Sequence, residues 1–146
     1  MRITEVLRLK GDEVATLSPE ATVRELLAVL AERRIGAVVV SRDGRHVEGI
    51  VSERDVVRRL HGADQDAVSA LLAGPLAAIM TTEVRTCEPG DKLEDLMAAM
   101  TEHRVRHIPV LVDGELAGLV SIGDVVKHRL AEVQAERDHL TAYITG

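Results

Sequence analysis

VATLSPEATVRELLAVLAERRIGAVVVSRDGR, residues 14–45, aligns without a gap on VRTCEPGDKLEDLMAAMTEHRVRHIPVLVDGE, residues 84–115. After a one-residue insertion at His46, VEGIVSERDVVRRL from Val47 aligns on LAGLVSIGDVVKHR from Leu116. Sixteen of the forty-six paired positions are identical, and several others exchange one aliphatic side chain for another, so the chain carries an internal duplication.

Each copy carries the signals of a βαββα unit. Residues 14–17 and 84–87 are expected as short strands, each closed by a proline, Pro19 or Pro89. Val23, Leu26, Leu27 and Leu30 then recur at helical spacing, matched by Leu93, Leu96, Met97 and Met100, which places one buried face on each helix. Thr22 with Glu25, and Asp91 with Glu94, form expected capping boxes. Strands over 37–40 and 47–51 flank Asp43-Gly44, and strands over 108–112 and 116–120 flank Asp113-Gly114, a pair that favours hairpins. A helix is expected to follow each hairpin, starting near Glu53 and near Ile122.

One such unit leaves a sheet face uncovered, and packing two units sheet against sheet covers both. The expected fold class is therefore α+β, built from two pseudo-twofold-related βαββα repeats. The expected organisation is a first repeat over 3–60, a linker over 61–82, a second repeat over 83–130 and a C-terminal helical extension over 131–146. Within the linker, a helix over 67–73 precedes the break Gly74-Pro75. In the helical tail from Asp124 to Thr145, Val126, Leu130, Val133, Leu140 and Ile144 exceed what one repeat must bury and suggest a partner surface.

Composition narrows the function classes. Apolar residues make up 46% of the 146 positions and charged ones 29%, the balance of a soluble globular protein. No apolar run is long enough to span a bilayer, and Met1-Arg2-Ile3-Thr4-Glu5 lacks a secretion signal's apolar core, so a cytoplasmic location and no membrane association are expected. The net charge of −6 argues against nucleic acid, and Tyr143 as the sole aromatic excludes base-stacking platforms. Any purine ring must be held between aliphatic side chains. Cys87 stands alone, so no intrachain disulfide forms, and the thiol is expected as a small buried hydrophobe. The six histidines show no zinc-ligand spacing. The sequence has no nucleophile turn, phosphate-binding loop or dinucleotide glycine motif, so no catalytic residues and no required cofactor are assigned.

The chemistry concentrates where each hairpin runs into its helix. Gly49-Ile-Val-Ser-Glu-Arg-Asp55 and Gly118-Leu-Val-Ser-Ile-Gly-Asp124 both read G-x-x-S-x-x-D. A Ser at the helix N-cap lies beside free N–H groups that attract an anion, and the Asp one turn on suits a pair of ribose hydroxyls. The same Ser and Asp also spell a capping box, which needs no ligand. Both alternatives stand at this level.

With these motifs stated, the duplicated chain resembles the cystathionine-β-synthase (CBS) domain, and the pair a Bateman module, over about residues 3–130. The resemblance is carried by the Val-x-Thr-x-x-Pro starts at Val14 and Val84, the strand RHIPV at 106–110 and the two G-x-x-S-x-x-D turns. It implies two clefts between the repeats, frequent homodimerisation and binding of adenosine-containing ligands such as AMP, ADP, ATP, NAD or S-adenosylmethionine. By position, it implies Asp124 at ribose, Ser121 and Gly123 near phosphate, Leu119 on the strand before them, and Arg106 reaching phosphate. Ser18, Val23, Ile35, Gly36 and Ala37 would then lie around the base. For the other cleft it implies Asp55, Ser52, Arg54 and Arg58, with Val105, His107 and Ile108 around the base. The copies differ, since Gly36 stands where the second repeat has Arg106, Gly123 where the first has Arg54, and Val39 where the second has Pro109. The expected function is a non-catalytic adenine-nucleotide sensor signalling to an effector protein in trans. The alternative is a dimerisation scaffold with empty or vestigial sites.

Overall fold

The computed structural model describes residues 1–145, so Gly146, the end of the expected extension, lies outside the described residues. The chain runs α1 (Ile3–Lys10), β1 (Thr16–Leu17), α2 (Val23–Arg33), β2 (Ala37–Val40), β3 (Gly49–Ser52), α3 (Glu53–Leu60), α4 (Gln65–Ala73), a 3-10 turn (Leu76–Ala78), α5 (Leu93–His103), β4 (His107–Val112), β5 (Glu115–Ser121) and α6 (Ile122–Thr145). The architecture is α+β with two small sheets, ordered β1-β2-β3 and β4-β5. The residues fall into two units, one holding Glu13–Arg85 with Asp113–Ala117, the other holding Met1–Asp12, Thr86–Val112 and Gly118 onward.

In the unit of the first repeat, β2 is the central strand, parallel to β1 and antiparallel to β3 with Val38 opposite Val51. All four β2 residues are buried, as a continuous apolar strand in mid-sheet requires. Helix α2 starts on the expected box, with Thr22 Oγ1 accepting from Glu25 N–H at 3.1 Å and Glu25 returning to Thr22 N–H at 3.3 Å. Arg34 ends it in the left-handed region at φ 53°. Val23, Leu26 and Leu30 pack against Val38, Val40, Val51 and Val56, with Leu76 and Ile79 of the linker. Each fully buried aliphatic side chain of this kind contributes about 1.5–3 kcal/mol. Leu27 and its counterpart Met97 lie at the rim of the expected stripe, 37% and 36% exposed.

The second repeat follows the same scheme with local differences. Asp113 and Gly114 both have positive φ, 52° and 79°, the backbone of a tight two-residue hairpin turn. The strand expected over 84–87 reduces to one parallel bridge, Cys87 opposite Val110. The box expected from Asp91 and Glu94 does not form. Helix α5 starts at Leu93 with Lys92 as its N-cap, so Asp91 falls one position too early and accepts instead from Glu88 N–H at 2.8 Å.

The duplication also extends beyond the aligned stretches. In one unit Ile3 N–H donates to Asp91 O, Thr4 N–H to Pro89 O, and Leu93 N–H to Met1 O, at 2.9, 2.9 and 3.0 Å. In the other, Leu76 N–H donates to Ala21 O, Ala77 N–H to Pro19 O, and Val23 N–H to Gly74 O, at 2.8, 3.0 and 3.1 Å. Two arms, 1–7 and 74–80, thus make the same backbone contacts in register. Each arm packs on the repeat that does not follow it in sequence, so the N-terminal helix belongs with the second repeat.

Candidate functional site

Both G-x-x-S-x-x-D turns place their Ser and Asp as the spacing requires. Strand β3 ends at Ser52 and β5 at Ser121, and in each case the next residue opens a helix. Asp55 Oδ2 accepts from Ser52 N–H at 2.8 Å and from Ser52 Oγ–H at 3.2 Å. Asp124 Oδ2 accepts from Ser121 N–H at 2.8 Å and Ser121 Oγ–H at 2.9 Å, while Asp124 N–H donates to Ser121 Oγ at 3.2 Å. The capping interaction is therefore real in both repeats. It engages one carboxylate oxygen, and the other, Oδ1, has no hydrogen-bond partner among the described residues of either turn.

The strand preceding each helix partner closes the turn from the other side. Glu53 N–H donates to Gly36 O at 3.0 Å, and Ile122 N–H to Arg106 O at 2.8 Å. Gly36 and Arg106, which differ in side chain, thus do the same backbone work. The next N–H groups, of Arg54 and of Gly123, have no backbone acceptor outside their helix among the described residues, which leaves part of each helix start able to meet an anion.

The surroundings of the two carboxylates differ. Lys10 Nζ lies 2.5 Å from Asp124 Oδ2 and 2.6 Å from the Leu119 carbonyl oxygen. Burial works to raise the Asp124 pKa, but the Lys10 ammonium and the two Ser121 hydrogen bonds outweigh it and hold the group below the ordinary carboxylate range. Asp55 has no cationic partner among the described residues. Arg54 and Arg58, one turn apart on α3, are exposed and form no ion pair among those residues. Arg106 is exposed beside its turn, and Gly123 leaves open space apart from Ser121 Oγ, 3.6 Å from where a β-carbon would stand.

The positions expected around the base fall into two groups. Val23, Ala37 and Ile108 are at most 2% exposed, so in this structure they serve packing. Ile35, Gly36, Val105, His107 and Leu119 are half-buried and retain accessible surface. Ile35 lines an open hollow of about 540 Å³ together with Glu13, Ala15 and Arg33. Ser18 turns on its own segment, its Oγ accepting from Glu20 N–H at 3.2 Å and donating to the Glu20 carboxylate. The residue missed from sequence is Lys10. Its arm has the apolar spacing Ile3, Val6, Leu7 that matches Leu76, Ile79, Met80 in the linker, and that pattern was the available signal.

A duplicated βαββα unit with a Ser–Asp turn at the same place in each copy defines a tandem-repeat module. The CBS domain model matches residues 6–62 and 76–131, and the chain belongs to the CBS-domain family. It is 33% identical over 152 aligned positions to the CBS domain-containing protein CBSX3, mitochondrial, of Arabidopsis thaliana, covering 99% of this chain and 72% of the relative. The CBS-domain containing protein ATU1752 from Agrobacterium tumefaciens superposes with a TM-score of 0.81 at 39% identity, covering 88% of this chain and 99% of that one. The CBS domain protein PAE2072 from Pyrobaculum aerophilum, determined in complex with AMP, superposes at 0.72 with 31% identity, covering 85% and 89%. CBS pairs are in general regulatory rather than catalytic modules. Among the described residues no helix is long and apolar enough to cross a membrane.

Proposed function

We propose that this chain is a non-catalytic regulatory module, acting in the cytoplasm, that binds adenosine-containing nucleotides through Asp55 and Asp124 and signals by conformational change to a separate effector protein. The observation that carries this reading is the repeated turn in which Ser fixes one oxygen of an Asp while the second has no hydrogen-bond partner among the described residues. A capping box alone would recur as well, but the exposed Arg54 and Arg58 beside Asp55 add the cations that a phosphate chain needs. Likeness to a relative solved with AMP makes AMP the first ligand to test, with ADP, ATP and NAD beside it. No metal or cofactor enters the proposal. A bound nucleotide transmits a signal only by binding two states of the module unequally.

Homodimerisation through α6 is part of the proposal. Val126, Leu130, Val133, Leu140 and Ile144 are between 43% and 80% exposed, and their spacing alternates four and three once Arg137 is counted at the remaining seam position. That is the spacing of a helix made to pack along a second helix, and a second copy of this chain supplies the matching stripe. The scaffold alternative shares this surface and differs at the turns. Calorimetric titration with the four nucleotides separates them: heat and a raised Tm support the sensor, and silence up to millimolar ligand supports the scaffold.

A further inference from the structure

Asp55 and Asp124 hold matching places, yet only Asp124 carries a counter-ion among the described residues. Lys10, the last residue of α1, bridges two acceptors, Asp124 Oδ2 at 2.5 Å and the Leu119 carbonyl at 2.6 Å. In the first repeat the carbonyl matching Leu119 is that of Ile50, and it accepts from a backbone donor, Thr81 N–H, at 2.9 Å. Counted along the two arms in register, the position of Lys10 falls on Glu83, an anion with no ion pair among the described residues. The arm of the first repeat therefore ties down the strand with its backbone. The arm of the second does so with a side-chain ammonium that also grips the carboxylate.

We propose that Lys10 is a built-in occupant of the Asp124 site, a specificity-determining side chain that an incoming ribose must displace, so that Asp55 fills first and Asp124 only at higher ligand concentration. This rests on reading Asp55 and Asp124 as ribose carboxylates. Asp124 Oδ2 already accepts from Ser121 N–H, Ser121 Oγ–H and Lys10 Nζ, so a diol that needs both oxygens competes with the ammonium directly. The competition is winnable, because the Lys10 side chain is 32% exposed and its ammonium can return to water. Its departure frees the Leu119 carbonyl and removes the tether on the last turn of α1, where Gly11 N–H donates to Leu7 O at 2.7 Å. Ligand at this site thereby loosens the N-terminal helix.

AMP titrations of Asp55→Ala and of Asp55→Ala with Lys10→Met, by calorimetry, isolate the second site. Removing the ammonium should tighten AMP binding about fivefold, the factor matching an exposed ion pair. Hydrogen exchange on the unsubstituted chain gives a second measurement independent of any variant's folding, and the Gly11 amide should exchange faster at saturating AMP. Unchanged or weakened affinity on removing Lys10, or a Gly11 amide that AMP leaves unchanged or protects, overturns the role of Lys10 while AMP binding itself stands. Absence of AMP binding to the unsubstituted chain overturns the nucleotide reading underneath it.

Discussion

Leu7 packs so closely on Gly118 that a β-carbon there would stand 2.6 Å from its Cδ2. The matching Gly49 meets Met80 Sδ at 2.7 Å and, less forgivingly, the Thr81 carbonyl oxygen at 3.0 Å. The glycines that open the two G-x-x-S-x-x-D turns are thus explained by the arms that cross them. A leucine tip can turn aside, whereas Thr81 is pinned by its reciprocal backbone bonds with Ile50, 3.0 and 2.9 Å. Gly49→Ala should therefore cost about 1–3 kcal/mol and Gly118→Ala less, measured by urea unfolding. Equal costs would show that the two arms yield equally, and reversed costs that Leu7 yields less than Met80 and Thr81.

Much of this architecture was legible in sequence where the two copies share side chains. The hairpins, the helix starts at Glu53 and Ile122 and the Thr22 cap follow from local chemistry that leaves a mark in residue type. The arms share backbone hydrogen bonds and three apolar positions but no identities, so alignment stopped short of them. The Asp91 box does not form because Lys92, not Asp91, holds the N-cap position that Thr22 holds in the first repeat, and a lysine side chain has no acceptor to offer there. Lys10 and Asp124 were beyond reach because their meeting depends on where an N-terminal helix packs rather than on either residue's neighbours.

Asp124 supplies a stability signature with a definite sign. Its pKa is lowered in the folded chain, so its contribution is fully present above the unfolded carboxylate pKa and is lost as pH falls through the folded value. The stability difference between the natural chain and Asp124→Asn should stay constant above about pH 5 and shrink below about pH 4. Thermal melts across that range check it, and a difference that grows on acidification contradicts the Lys10–Ser121 account.

Cys87 should be inert in the native state. It is 6% exposed, and burial, with Asp91 and Glu88 nearby, pushes its thiol up to about 12. Alkylation at pH 8 should be slow in buffer and fast in denaturing urea. Rapid native labelling would mean that the Cys87–Val110 bridge opens readily.

Leu130 and Leu140 test the proposed seam of α6. Both are exposed, 56% and 60%, so Leu130→Glu with Leu140→Glu should leave the far-UV circular dichroism of the folded chain unchanged while converting a dimer to a monomer in sedimentation. An unchanged sedimentation coefficient would place the interface elsewhere.

The central claim is that the repeated Ser–Asp turns bind a nucleotide, and calorimetric titration of AMP into the natural chain, Asp55→Ala, Asp124→Ala and the double variant tests it most directly. Each Asp→Ala also removes a cap worth about 1 kcal/mol, so binding heat rather than Tm is the deciding readout. The account predicts binding in the natural chain, loss of the tighter phase in Asp55→Ala and of the weaker phase in Asp124→Ala, and no heat in the double variant. AMP binding that persists undiminished in the double variant would contradict it.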